Sequence, residues 1–313
     1  MPPSRKTASK AALRTKRTRQ PRRIPVSRLG SGTACDTAFR VVARRCLAEL
    51  TANHQATCNG DPTALHQMRI ALTRLRTAIL FFSPMVTDSR RAHIRAELNW
   101  LNGHLGAVRD LDVAIGQLKA ANRRRPRAVL HYRSWTARRT NAHRLLARTL
   151  RSARYRHLVK STSAWVEHGP WSVKMGAQAG LERATPIATY SMDALTGWEE
   201  KLLKKSRKLD DMSAKKRHRL RLLNKKLCYS IESLKELFPD KRFSRQQIAL
   251  KYLRKAQRSL GELNDDANSQ SLAAALHRDG VKVPFGFLSP KREKRLLRTA
   301  AAAYQKLAAL QPR

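Results

Sequence analysis

Cysteine is scarce. Cys35, Cys46, Cys58 and Cys228 are the whole complement of a 313-residue chain. Their spacings form no Cys-x-x-Cys pair and no zinc set, which argues against a disulfide scaffold or a zinc module and for buried thiols in a reducing compartment. Glycine and proline are sparse, at 13 each, and alternating β-branched stretches are nearly absent, so strands are not expected. Aromatic residues make up 6% of the chain, which offers little for stacking on single-stranded nucleic acid. No apolar run approaches the roughly 20 residues that span a bilayer, and the N-terminus lacks the apolar stretch of a secretory signal. The expectation is a cytoplasmic protein with no membrane span.

Acid is the scarcest commodity relative to its counterpart: 22 Asp and Glu face 65 Lys and Arg, a formal charge of +43. Such self-repulsion opposes compaction unless a polyanion neutralises it. Nucleic acid, an anionic membrane surface and an inorganic polymer all satisfy that requirement. Residues 1–30 hold ten Lys or Arg, no acid, and Pro2, Pro3, Pro21 and Pro25. They read as a disordered basic tail, able to add electrostatic affinity for nucleic acid.

What is present, from Thr33 onward, is helical periodicity. Helices are expected over 34–52, from an Asp61 N-cap with Pro62 in the first turn to just before Pro84, over 88–119 and over 126–164. A Gly- and Pro-richer stretch, 169–188, reads as a linker. Helices are expected again over 191–209, 213–237, 244–278 and 291–309, with a loop over 280–290. Short connections favour antiparallel neighbours. The division expected is therefore a tail, 1–30, and a helical region, 31–313, made of bundles at 31–168 and 189–313.

The halves repeat one another. His66-Gln-Met-Arg69-Ile-Ala-Leu-Thr-Arg74-Leu-Arg76 returns as His218-Arg-Leu-Arg221-Leu-Leu-Asn-Lys225-Lys226-Leu-Cys228, 152 residues later. Leu105-Gly106-Ala-Val-Arg109-Asp110 returns as Leu260-Gly261-Glu-Leu-Asn264-Asp265, 155 residues later. At 100° per residue His66, Arg69, Thr73 and Arg76 share one stripe, flanked by Arg74; His218, Arg221 and Lys225 form the second stripe, with Lys226 beside it. Cations one helical turn apart can each meet a different phosphate, arginine with bidentate geometry and lysine as a point charge. A histidine adds one N–H donor when neutral and two when charged. The competing reading of such a stripe is a solvated face; its recurrence on two related helices favours a ligand.

Lys251, Arg254 and Arg258 form a further cationic row at i, i+3 and i+7. Asp110 and Asp265, just after the Leu-Gly steps, suit a structural role in orienting arginines; a divalent ion between them is the lesser alternative. No paired acids, nucleophile or metal set stands at helical spacing, so no catalysis, no metal and no cofactor is expected.

At these motifs the sequence resembles the CHAD family, the conserved histidine α-helical domain, over roughly residues 33–310. The resemblance implies an all-α fold of two four-helix bundles related by a pseudo-twofold axis, with the basic helices facing a shared central groove. It also implies non-catalytic binding of inorganic polyphosphate there and, in some members, association with polyphosphate granules. The residues expected to hold phosphate are His66, Arg69, Arg74 and Arg76 from one half and His218, Arg221, Lys225 and Lys226 from the other. Arg109, Lys251, Arg254 and Arg258 are secondary candidates. Thr73, Cys228, Asn264 and Ala267 depart from the pattern, which predicts a weaker second half. The alternative function is sequence-independent nucleic-acid binding.

Overall fold

A computed structural model describes residues 28–124, 132–173, 177–239, 244–278 and 287–311. The expected tail up to residue 27, the start of the helix expected over 126–164 and most of the 280–290 loop lie outside these. Among the described residues all regular structure is helical, apart from one isolated bridge between Ala34 and Pro186. The all-α expectation holds.

The first half comprises α1 (Cys35–Ala52), a one-turn α2 (His54–Cys58), α3 (Pro62–Phe81), α4 (Arg91–Arg124), α5 (Tyr132–Arg151) and α6 (Ala153–His168). The second comprises α8 (Ile187–Ser206), α9 (Ala214–Ser233), α10 (Arg245–Arg278) and α11 (Pro290–Ala308). Between them the stretch read as a linker carries a 3-10 turn, Pro170–Ser172, and α7 (Ala177–Ala184), which packs on α1. Helix starts follow the sequence signals. Asp61 caps α3 by accepting from the Thr63 and Ala64 N–H groups, with Pro62 in the first turn, and Ser213 and Ser289 cap α9 and α11.

One difference has a tertiary cause. The helix expected to run on to residue 164 breaks at Ser152, whose backbone is extended and whose hydroxyl accepts from Tyr155 N–H. Two residues around the break are held by His54: its Nε2 donates to Leu150 O at 3.0 Å and its ring stacks on Tyr155 at 5.0 Å, while Cys58 Sγ of its own helix lies 3.7 Å from it. No glycine or proline marks the break, so periodicity runs straight through it.

Neighbour relations repeat across the halves. α8 packs on α9, α9 on α10, α10 on α11 and α11 back on α8; α1 packs on α3, α3 on α4, α4 on α6 and α6 back on α1. The halves meet where α3 lies on α9. Aromatic packing locks that seam at the C-terminal end of α3: Phe81 meets Trp198 and Tyr190 edge-on, each at 5.5 Å, and Tyr190 Oη donates to Phe81 O at 2.5 Å. The apolar core runs unbroken from Phe39, Trp165 and Trp171 in the first half to Leu253 and Leu307 in the second. Leu29, on the tail side of the expected boundary, is buried, and its N–H donates to Glu236 at 2.7 Å.

Candidate polyanion-binding cleft

The two basic helices are neighbours, and they run in the same direction. Lys225 of α9 lies by His66 and Arg69 of α3, and further along the pair Ser233 and Leu234 lie by Phe81 and Phe82. Their stripes thus face one another across the seam. α4 supplies the flank: Arg109 stands by His66 and Arg69, while Arg95 stands by Arg76.

Gly106 explains the Leu-Gly step. A β-carbon there would lie 3.1 Å from Arg69 Nη1, so the missing side chain is what lets the guanidinium lie against α4. Arg69 Nη1 is buried with no hydrogen-bond partner, and so is Arg221 Nε across the seam. Burial pushes the Arg69 guanidinium below its ordinary pKa, Asp110 pulls it back up, and Arg109 adds to the depression. Asp110 thus stands close enough to the half-buried Arg69 to offset part of that depression by charge.

Cations crowd the centre. The His66 imidazole is held below its ordinary range by burial, then by the Arg109, Lys225 and Arg69 charges. Lys225 is pushed down to about 8 by burial, Arg221 and Arg69. Two turns of α3 on from Arg69 a second group continues the line around Arg76: Lys226 is depressed by burial and by Arg76, Lys201 and Arg95, and Arg76 by burial and Arg95. These shifts share one sign and one cause, desolvated positive charges that want a counter-ion.

Tyr229 is a neighbour both of this track and of a group of ion pairs on the seam. Lys225 Nζ and Arg74 Cζ each lie 5.4 Å from its ring centroid. Beyond the ring, Arg74 is taken up by acids, 3.3 Å from Glu49 and 3.6 Å from Glu232. Arg254 pairs with the same Glu232 at 2.8 Å, and Arg45 with Glu236 at 3.0 Å. A cleft of about 580 Å³ on this face is lined by those ion pairs. Of the candidates, the structure brings together His66, Arg69, Arg76, Arg109, Arg221, Lys225 and Lys226. Arg74 shares the Tyr229 ring with Lys225 but is paired with acids, Arg254 pairs with Glu232, and Lys251 and Arg258 share the exposed face of α10 with Arg254.

The second half is chemically reduced. His218 Nδ1 donates to Asn264 Oδ1 at 2.6 Å, the counterpart of His66 beside Arg109. An amide has replaced a cation at the equivalent place. Asp265 accepts Ser269 Oγ through its backbone carbonyl at 2.7 Å, while the neighbouring Asp266 carboxylate anchors Leu288 N–H at 2.7 Å. Among the described residues no three His, Cys, Asp or Glu side chains gather as a metal site, and no helix is long and apolar enough to cross a membrane.

Sequence reasoning missed Arg95 and Lys201. Arg95 was findable: it precedes Arg109 by fourteen residues, four helical turns less 40°, on the same face of α4. Lys201 was findable through the repeat, since 152 residues before it stands Glu49. The acid that neutralises Arg74 in one half is a lysine beside Lys226 in the other.

Three comparisons bear on this arrangement. A family model described as "CHAD domain" matches residues 41–274. The fold is similar to a solved CHAD domain from the plant Ricinus communis, with 23% identity, a TM-score of 0.68 and coverage of 94% of this chain and 93% of that one. It is also similar to the structure titled PptA from Streptomyces chartreusis, with 15% identity, a TM-score of 0.57 and coverage of 89% and 96%. No curated protein matches.

Proposed function

Because the chain belongs to the CHAD domain family, we propose that it binds inorganic polyphosphate, without catalysis, along the cationic track between α3 and α9. The observation that carries this reading is the convergence of cations from both halves on a seam where two buried guanidinium N–H groups, on Arg69 and Arg221, have no partner. Uncompensated buried charge costs free energy, and a chain of phosphates offsets that cost while releasing its own counter-ions.

The roles follow from chemistry. Arg69, Arg109 and Arg221 offer forked donors to phosphate oxygens, Lys225 offers a point charge between them, and His66 offers a single N–H at neutral pH. Arg76, Arg95, Lys226 and Lys201 carry the chain onward. From His66 to Arg76 the helix rises about 15 Å, enough for several consecutive phosphates. Asp110 is a positioning residue for Arg69. His218, held by Asn264, offers one remaining ring nitrogen at the poorer end. Cytoplasmic polyphosphate, free or in granules, is the partner this reading names. The acid-free tail and the +43 charge favour nucleic acid as a second ligand.

A competition titration at near-physiological salt tests both. Long-chain polyphosphate and duplex DNA compete for the full chain and for a chain lacking residues 1–27, a cut that keeps the Leu29 anchor. Polyphosphate is expected to win by a hundredfold or more, roughly 2.7 kcal/mol, in both forms. Equal affinity, or loss of polyphosphate binding with the tail, overturns the reading. So does unchanged polyphosphate affinity in the folded Arg69→Ala/Arg221→Ala double variant.

A further inference from the structure

Lys225 is unusual among the lysines of this chain. It lies half-buried at the centre of the seam, with Arg221 and the Tyr229 ring on its own helix and Arg69 and His66 facing it from α3. Among the described residues the charges that act on it most strongly, Arg221 and Arg69, are both cationic. The two guanidiniums nearest to it, Arg69 and Arg221, each carry a buried N–H without a partner. Two incompletely satisfied guanidiniums thus flank an amine that keeps part of its surface in solvent.

We propose that Lys225 is a site of acylation by acyl phosphates, small molecules whose phosphate Arg69 and Arg221 hold while the carbonyl carbon lies within reach of the lysine amine. The step balances without further reagents. The Nζ lone pair forms an N–C bond to the carbonyl carbon, the C–O bond to phosphorus-bound oxygen breaks, and inorganic phosphate leaves with that electron pair. The amine proton goes to the departing phosphate. The product is an amide, which carries no charge.

Two features favour this lysine over the rest. Phosphate binding raises the local concentration of the acyl donor. The amine is pushed down to about 8, by burial first and then by Arg221 and Arg69, from the ordinary 10.5. Near pH 7.5 its neutral, nucleophilic fraction is therefore roughly a hundredfold that of an ordinary lysine. Part of that gain is offset, since a less basic amine is a weaker nucleophile.

Acylation would remove the central charge of the track, so each modified molecule should bind polyanions about tenfold more weakly. That consequence rests on the polyphosphate reading; the acylation itself does not. The modification thereby supplies a switch driven by the balance of acyl phosphates and free phosphate.

The test treats the full chain with acetyl phosphate at pH 8 and follows each lysine by peptide mass spectrometry. Lys225 is expected to acetylate at least tenfold faster than the exposed Lys160 and Lys306, and equal rates overturn the proposal. In Arg69→Lys/Arg221→Lys, which keeps the charge and changes the fork, the Lys225 rate is expected to fall at least fivefold. A neutral donor, phenyl acetate, provides a comparison on the native chain. Loss of the Lys225 preference with that donor supports phosphate-directed acylation; an equal preference with both overturns it. Long-chain polyphosphate added during labelling separates the two readings. Protection of Lys225 is expected, whereas selective labelling that polyphosphate does not suppress leaves the acyl phosphate site standing and overturns the polyphosphate reading.

Discussion

A single missing β-carbon sets the position of Arg69. Gly106 sits mid-helix, where glycine costs about 1 kcal/mol relative to alanine, and its only evident return is room for the guanidinium 3.1 Å from where a methyl would stand. Gly261 is its counterpart in the repeat, and nothing lies within 4 Å of a β-carbon there. The pair makes a controlled experiment. Gly261→Ala is expected to stabilise the fold by up to about 1 kcal/mol and leave polyphosphate affinity alone. Gly106→Ala is expected to stabilise less, as the arginine tip must shift by a few tenths of an ångström, and to weaken polyphosphate binding about threefold. Thermal melts and a binding isotherm on both variants check this; equal binding losses in the two would sink the Arg69 assignment. The Leu-Gly repeat was legible in sequence, but its asymmetry was not, because the arginine that uses the space comes from another helix.

Protonation at the same residues fixes the pH dependence. His66 titrates below its ordinary value of 6.5, through burial, Arg109, Lys225 and Arg69. A bound polyanion favours the charged ring and raises that value, so protons are taken up on binding. Affinity should therefore grow as pH falls from 7 towards 5.5, by about three- to tenfold, and His66→Gln should flatten this limb. Lys225 gives the opposite limb, losing its proton near pH 8 in the free cleft, so affinity should decline above pH 8. Lys225→Arg should remove that decline. In the unfolded chain this lysine keeps its proton up to about 10.5. The unfolded state binds more protons between pH 8 and 10.5, so this group's contribution to stability rises with pH across that window.

At the scale of elements, stability rests on a few buried polar ties between helices. Asp112 joins α4 to α5: its Oδ1 accepts from Arg139 Nε at 2.6 Å and His143 Nε2 at 2.8 Å, with the carboxylate side chain 3% exposed. Asn224 does the same for α9, α10 and α11, donating to Leu253 O at 3.0 Å and Gln257 Oε1 at 2.9 Å and accepting from Tyr304 Oη at 3.2 Å. Asp112→Ala leaves a half-buried arginine and a buried histidine without their acceptor, and should cost about 3 kcal/mol in urea unfolding. Polyphosphate affinity of the folded fraction should stay within twofold, since Asp112 lies off the track. A binding loss that matches Asp110→Ala would refute that division of labour. Element boundaries were largely readable because caps are local: Asp61, Ser213 and Ser289 act within three residues of themselves. The break at Ser152 was unreadable because His54, about a hundred residues earlier, makes it.

For the whole molecule, the question is what +43 does to a folded chain. Part of it is disposed of internally, as Glu49, Glu232 and Glu236 collect Arg74, Arg254 and Arg45 on one side of the seam. On the other side Asp110, beside Arg69, is the one acid among the charges that act on the described cations His66, Arg69, Arg76, Lys225 and Lys226, so repulsion concentrates where a ligand would relieve it. Sequence conveyed the doubled helices and the sign of the charge, but not this sorting. Arg74 and Arg76 are two residues apart, yet Arg74 pairs with Glu49 of α1 and Glu232 of α9 while Arg76 stands among the cations Arg95 and Lys226, because the acids that decide the matter belong to other helices. A ligand that binds only the folded state adds RT ln(1 + [L]/Kd), about 2.7 kcal/mol at a hundredfold excess over Kd. For a chain of this size that is a rise of roughly 4 °C in Tm. Salt acts in two directions: it screens the self-repulsion and raises the Tm of the free protein, while it weakens the polyanion and shrinks the ligand-induced rise. The two melting curves should therefore converge between 50 mM and 500 mM NaCl. Chain length gives the sharper test. Triphosphate can neutralise the Arg69, Arg221 and Lys225 centre but cannot also reach Arg76, Arg95 and Lys201. At equal phosphate concentration it should raise Tm less than a chain of fifteen or more phosphates. The difference should vanish in Arg76→Ala/Lys201→Ala, which shortens the track. An equal rise for both lengths in the unaltered protein would mean that one local anion site, not a track, takes the charge.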